Sequence, residues 1–172
     1  KNMSVIIEEK EANVFFNNTD VAYVWSDEFL FEDVLTNYFN NALNHMDDNR
    51  IIRINVEKVA ENIRVTVFNS GENIPEEELT RIWEKFYKVD KARTREYGGS
   101  GLGLSIVKAI AESLDKPYGA YNTPEGVAFY IELEYAGGMQ NASEKPEKHS
   151  RLKLSEIPIW KGRKKNNGTD KQ

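Results

Sequence analysis

Gly98-Gly99-Ser100-Gly101-Leu102-Gly103-Leu104 marks the point where a polar segment, residues 87–101, gives way to a helical pattern running from Leu102 to Leu114. Glycines let backbone N–H groups approach an anion and take conformations that other residues resist. A helix beginning directly behind them adds its partial positive charge. Together they form a phosphate cradle. A flexible linker would also be rich in glycine, but four glycines in six positions joined directly to an amphipathic helix argue against one. A dinucleotide-binding loop would follow a strand, whereas here a long charged loop comes first. A P-loop would end in Gly-Lys-Ser/Thr, whereas here Gly103 is followed by Leu104.

Around this cradle the chain reads as alternating elements. Residues 87–101 lack an apolar period and predict a long mobile loop. On its C-terminal side, residues 118–122 and 127–134 predict a hairpin turning at Thr123-Pro124-Glu125-Gly126. On its N-terminal side, Pro75 opens a short helix over 76–84 that is rich in glutamate at its start. The loop Asn69-Ser70-Gly71-Glu72-Asn73 precedes it. Residues 51–57 and 63–68 alternate as strands of a second hairpin. Ser26-Asp27 offers an N-cap for a helix to about Met46, with Phe29, Leu30, Val34, Leu35, Tyr38, Phe39, Ala42 and Leu43 as its apolar stripe. Residues 4–8, 13–16 and 21–25 predict three short strands. Phe15, Phe16, Phe39 and Phe68 read as core, and Trp83 and Phe86 as packing under the loop. This order implies an α+β fold: a two-layer sandwich of one mixed sheet with helices on one face.

Composition narrows the possibilities. The chain has 172 residues, 40% hydrophobic and 30% charged, enough for one globular domain with a core. It has no cysteine, which excludes disulfides, zinc–thiolate sites and cysteine nucleophiles. No run approaches the ~20 apolar residues of a membrane span. Residues 1–136 carry 14 Lys/Arg against 24 Asp/Glu, while residues 137–172 carry 9 against 4. The acidic body argues against nucleic acid as a ligand. The segment 137–172 is expected to be a basic, poorly ordered tail on a body spanning 1–136. With its abrupt start, Lys1-Asn2-Met3 running into Val5-Ile6-Ile7, the chain reads as a piece of a longer protein.

The helix over 29–46 carries Asn37, Asn41 and Asn44, and Asn37 and Asn41 share a face. Asparagine is a poor helix former and cannot cap an interior position. An amide oxygen can ligate Mg²⁺, and an amide can hydrogen-bond phosphate. A polar face that happens to be rich in asparagine, including Asn40, explains the same residues equally well.

Combined, these segments resemble the nucleotide-binding boxes of the sensor histidine kinases. Asn37-Tyr-Phe-Asn-Asn41-Ala42 is similar to their N box, and Asn69-Ser-Gly71-Glu-Asn-Ile74-Pro75 to their G1 box. Phe86-Tyr87-Lys88 with Asp90 and Arg93 resembles the F box and lid, and Gly99-Ser-Gly101-Leu-Gly103-Leu104 the G2 box. The resemblance covers roughly residues 4–135, and its nearest flavour is a Gram-positive group that includes VanS-like proteins. It implies the Bergerat ATP-binding fold, with ATP and Mg²⁺ bound. Asn41 would ligate Mg²⁺, and Asn37 would support the triphosphate. Asn69 would contact the adenine amino group, with Gly71 and Ile74 beside the ring. Lys88 and Arg93 would be lid cations and Tyr87 a wall. The backbone of Gly99, Ser100, Gly101, Leu102, Gly103 and Leu104 would hold the phosphates, and Ala128 and Phe129 would lie under the adenine. His45 stands where the family often places an aromatic or histidine near the nucleotide.

Three positions depart from the family pattern. Asn69 replaces an aspartate, Asn73 replaces a glycine that asparagine can imitate at positive φ, and Asn44 stands where a basic residue is common. The resemblance implies that the γ-phosphate goes to a histidine in an upstream dimerisation domain, and then to a cognate response regulator. It also implies a membrane-anchored homodimer whose cytoplasmic piece, this chain, is monomeric. His45 and His149 both lack the setting of a phosphoacceptor. A gyrase-type ATPase needs a water-activating carboxylate where Asn37 stands. A degenerate module that acts by docking is the remaining alternative.

Overall fold

The computed structural model describes residues 3–17, 23–89, 100–137 and 150–157. In chain order the elements are α1 (Met3–Glu9), β1 (Asn13–Asn17), β2 (Tyr23–Ser26), α2 (Glu28–His45), β3 (Ile51–Val59), β4 (Asn62–Ser70), a 3-10 turn (Glu76–Glu78), α3 (Gly103–Ser113), β5 (Tyr118–Thr123), β6 (Gly126–Tyr135), β7 (Ser150–Lys153) and a final 3-10 turn (Leu154–Glu156).

All seven strands form one sheet, ordered β1-β3-β4-β6-β2-β7, with β5 also paired to β6. The β1–β3 pair is parallel and every other pair antiparallel. β6 is the spine. One edge runs along β4 from Gly126 to Glu134, while the other is shared by β5 and, at Glu134 and Tyr135, by β2. The predicted mixed α+β sandwich is the observed fold.

α2 is placed by its cap and its stripe. Asp27 stays extended, and its carboxylate accepts the Leu30 N–H at 3.0 Å. Phe31, Val34, Leu35, Tyr38, Phe39, Ala42 and Leu43 are buried against the sheet. Phe31 takes the place expected of Phe29, which is 79% exposed. The two lie about 200° apart around the helix, so only one can face the core. Tyr38 crosses the core to donate its hydroxyl to the Tyr130 carbonyl at 2.8 Å. Burial, with Tyr130 and Tyr118 nearby, pushes its pKa far above the usual phenol range, so it stays a neutral donor.

Four further expectations are corrected. Residues 4–8 form a helix, not a strand, because Met3, Ile6 and Ile7 fall on one face and pack on the core while Val5 is left exposed. The edge of β3 is already occupied by β1, so no strand slot remains there. Phe15 is 40% exposed, since β1 turns Val14 and Phe16 inward. Trp83 packs edge-on to Tyr118 at 4.9 Å, but Phe86 is 70% exposed. The basic tail also contributes structure: β7 pairs with β2 from Tyr23↔Lys153 to Ser26↔Ser150, and Leu152, Leu154 and Ile157 are buried in the core. A body ending at residue 136 would leave out this strand. The sequence signal was weak because the three apolar residues stand among charged ones.

Candidate nucleotide site

A cavity of about 390 Å³ opens between α2, the C-terminal end of β4, the segment 72–89 and the start of α3. It gathers Asn37, Asn41, Asn44, His45, Asn69, Ile74, Tyr87, Lys88, Ser100, Gly101, Gly103, Leu104 and Phe129 from the expected residues. It also includes Asn40, Glu72, Asn73, Ile82, Val89 and Val127, which were not singled out for it. Arg93 and Gly99 lie outside the described residues, as does most of the predicted lid. Gly71, Leu102 and Ala128 are described but are not on the wall.

Ala128 illustrates strand alternation. Val127 and Phe129 both reach the cavity, so the residue between them faces the opposite side of the sheet. A period-2 reading of β6 would have chosen Val127 instead. Gly71 sits behind the wall, where a Cβ would come within 2.7 Å of the His45 carbonyl. Asn73 is not among the described residues at positive φ, so it does not stand in for glycine there. Phe86 takes that conformation, at φ 64. Its N–H donates to the Gly101 carbonyl at 2.9 Å, pinning the two ends of the lid segment together. Gly101, at φ 71, would bring a Cβ to 3.1 Å from the Phe86 Cα.

Three of the amides in the cavity, those of Asn37, Asn44 and Asn69, are oriented by a partner that can act in only one way. The Asn37 Nδ2 donates to the Asp33 carbonyl at 2.8 Å, so its oxygen points toward Gly103. The Asn44 Oδ1 accepts from the Lys10 ammonium at 3.0 Å, which leaves the Nδ2 donors for the cavity. The Asn69 Nδ2 donates to the Ser70 carbonyl at 3.1 Å, and its Oδ1 is buried without a partner. Asn122 fixes the loop before the 3-10 turn by bonding both the N–H and the carbonyl of Ile74.

The far wall is the start of α3. No side chain caps it, so its first N–H groups have no intrahelical acceptor. Gly103 has helical backbone there, and a Cβ on it would lie 2.9 Å from the Asn37 Oδ1. Lys88 also lines the cavity, and the Arg81 guanidinium holds Tyr87 at 4.3 Å from the ring centre. The cavity therefore runs from an apolar slot with one unpaired acceptor to a mouth of amides and a cation.

The profile of the histidine kinase-, DNA gyrase B- and HSP90-like ATPases matches residues 26–154. The chain belongs to that family. Among its relatives, the sensor protein VanSB of Enterococcus faecalis is 36% identical over 110 residues, covering 64% of this chain and 25% of VanSB. The sensor protein CiaH of Streptococcus pneumoniae is 31% identical over 133 residues, covering 77% and 30%. The solved catalytic domain of the histidine kinase ThkA is 30% identical with a TM-score of 0.60, covering 74% of this chain and 82% of that domain. Within the ATPase family the chain is therefore an ATP-binding catalytic domain of the histidine kinase kind. It spans about a quarter to a third of the curated relatives named here. Among the described residues, no helix is long and apolar enough to cross a membrane.

Proposed function

We propose that this domain binds ATP with Mg²⁺ in the cavity and presents the γ-phosphate to a histidine on an upstream dimerisation domain, whose phosphate then passes to a cognate response regulator. The observation that carries this reading is the polarity of the cavity. An apolar slot with a single unpaired acceptor suits an amino-bearing base, and an uncapped helix start with Lys88 suits phosphates. Neighbouring cases point the same way: ThkA, 29% identical, has been solved in complex with the response regulator protein TrrA.

The chain's own residues bind and orient. Ile74, Ile82, Val127 and Phe129 would enclose the base, while the α3 amides, Lys88 and Arg93 would fix the phosphates. Asn41 would hold Mg²⁺ by its amide oxygen, with Asn37 supporting the triphosphate. No group of three His, Cys, Asp or Glu gathers a metal among the described residues. A magnesium ion suits one neutral oxygen here because it commonly takes its other ligands from water and the phosphates. When bound it would neutralise charge on the transferring group. Among the described residues, the one carboxylate on the wall, Glu72, adjoins Gly71 and hence the His45 end of α2. Asn37 lies eight residues along that helix, about 12 Å away. Rapid water activation beside the phosphates is therefore not expected.

We read the protein as the cytoplasmic part of a membrane-anchored homodimer and this chain alone as a monomer. Calorimetry with ATP should show binding that Mg²⁺ strengthens, and Asn41→Ala should remove that increment. The chain alone should hydrolyse ATP barely, yet phosphorylate its own histidine domain when the two are mixed. Fast hydrolysis without transfer would favour a gyrase-type enzyme, and no nucleotide binding would favour a docking module.

A further inference from the structure

Among the described residues lining the cavity, the Oδ1 of Asn69 is the one buried side-chain polar atom without a hydrogen-bond partner. Asn69 is 2% exposed, near the end of β4, and lines the cavity beside Ile74, Val127 and Phe129. Its amide cannot be read either way round. Nδ2 lies 3.1 Å from the Ser70 carbonyl, which can only accept. That carbonyl is fixed in turn by the Asp47 N–H at 3.1 Å, and the Ser70 hydroxyl by Asp47 and the Ile51 N–H. Turning the amide over would set two oxygens against each other. Oδ1 is thus held as an acceptor in an apolar slot, where leaving it unpaired is costly.

An acceptor at this place reads the 6-position of a purine. A 6-amino group donates to it, whereas a 6-oxo group opposes it. A carboxylate would oppose the 6-oxo group with either oxygen and with full charge. The amide has an escape. It can turn over, giving up the Ser70 bond and bringing its Oδ1 toward that carbonyl, and offer its Nδ2 to the 6-oxygen. Rejection is then limited to the cost of that turn between neutral groups, which is less than the full-charge opposition of a carboxylate.

We infer that Asn69 gives this domain a shallow purine selectivity, preferring 6-amino over 6-oxo nucleotides by only about tenfold, so that inosine triphosphate enters the site that ATP uses. The inference rests on the nucleotide reading above and assigns the base specificity of that site to the amide at position 69 and the carbonyl that orients it.

The test is calorimetric titration of ATP and inosine triphosphate, each with Mg²⁺, into the wild-type chain, Asn69→Asp and Asn69→Ala. The wild type should prefer ATP about tenfold. Asn69→Asp should widen the preference to about a hundredfold, chiefly by weakening inosine triphosphate, since its second oxygen faces the Ser70 carbonyl and offsets part of any gain for ATP. Asn69→Ala, which leaves the Ser70 carbonyl bonded to Asp47, should bring the two nucleotides to near parity. A preference that stays the same in all three chains overturns the inference while leaving ATP binding intact, and so does a wild-type preference of a hundredfold or more. Failure of the wild type to bind ATP overturns the nucleotide reading, and this inference with it.

Discussion

Gly103 is a glycine for reasons of space rather than backbone angle, and this separates its effect on binding from its effect on stability. In Gly103→Ala the new methyl would sit 2.9 Å from the Asn37 Oδ1 and push that side chain from its place. Alanine is otherwise the better helix former by up to about 1 kcal/mol. We expect the variant to keep or slightly raise its melting temperature while losing about tenfold or more in ATP affinity. A parallel loss of both would place the residue in the fold alone. Asp47 makes a second residue-scale case. The Ser70 hydroxyl at 2.6 Å, with further bonds from Asn49, holds its carboxyl below the ordinary 3.8, against a smaller opposing effect of burial. A carboxyl lowered by folding contributes stability that is complete above its unfolded pKa and is lost as pH falls through the folded one. Melting temperature should therefore be insensitive to this pair from pH 7 to about 5 and fall below about pH 4. Ser70→Ala should flatten that fall.

At the scale of elements, the parts with long-range periodicity were legible from sequence and the short ones were not. α2 and both hairpins follow from spacing and caps, since seven buried positions on one stripe, or strands paired over eight and six positions, leave little choice. Val5-Ile6-Ile7 invited a strand through β-branching, but tertiary packing selected the helical face of Met3, Ile6 and Ile7. The expected site residues meet because four separated segments converge, and of the three described residues that miss the wall, Ala128 does so by strand parity and Gly71 because it backs onto the His45 carbonyl. What the sequence hid entirely is that the turn after α1 reaches the site. The Lys10 ammonium bonds the Leu43 carbonyl and the Asn44 Oδ1, each at 3.0 Å, putting a cation at the C-terminal end of α2. Asn44 lacks the charge common at its position, and Lys10 supplies one from a different element. Lys10→Met keeps the packed stem and removes the ammonium. It should cost about 1 kcal/mol of stability. It should also weaken ATP a few-fold while sparing adenosine. Adding Asn44→Ala should cause little further loss of ATP affinity, because the two act as one unit. Additive losses would show that Lys10 does not orient Asn44.

Across the whole molecule, stability and binding are assigned to opposite parts of the sheet. The cavity takes Val127 and Phe129 from the first half of β6. β2 joins β6 only at Glu134 and Tyr135, and β7 lies outside β2. The segment that closes that edge buries Leu152, Leu154 and Ile157 to 8%, 0% and 3% exposure. Burying such side chains contributes about 2 kcal/mol each. Without the segment, the backbone of β2 that pairs with β7 would also become an open edge. Against a typical domain stability of about 5–15 kcal/mol, this loss is large. A chain ended at Gly137 should therefore melt more than about 10 °C lower than the full chain. Its ATP affinity, measured well below that melting point, should change less than about threefold, since the removed strand pairs with β2, which joins β6 only at Glu134 and Tyr135, away from Val127 and Phe129. Restoring residues 138–157 alone should recover most of the stability, leaving the strongly basic end from 158 onward dispensable for folding. If the shortened chain melts like the full one, the strand contributes no net stability. If it stays folded but no longer binds ATP, the far edge of the sheet and the nucleotide site are coupled through β6, and the separation argued here fails.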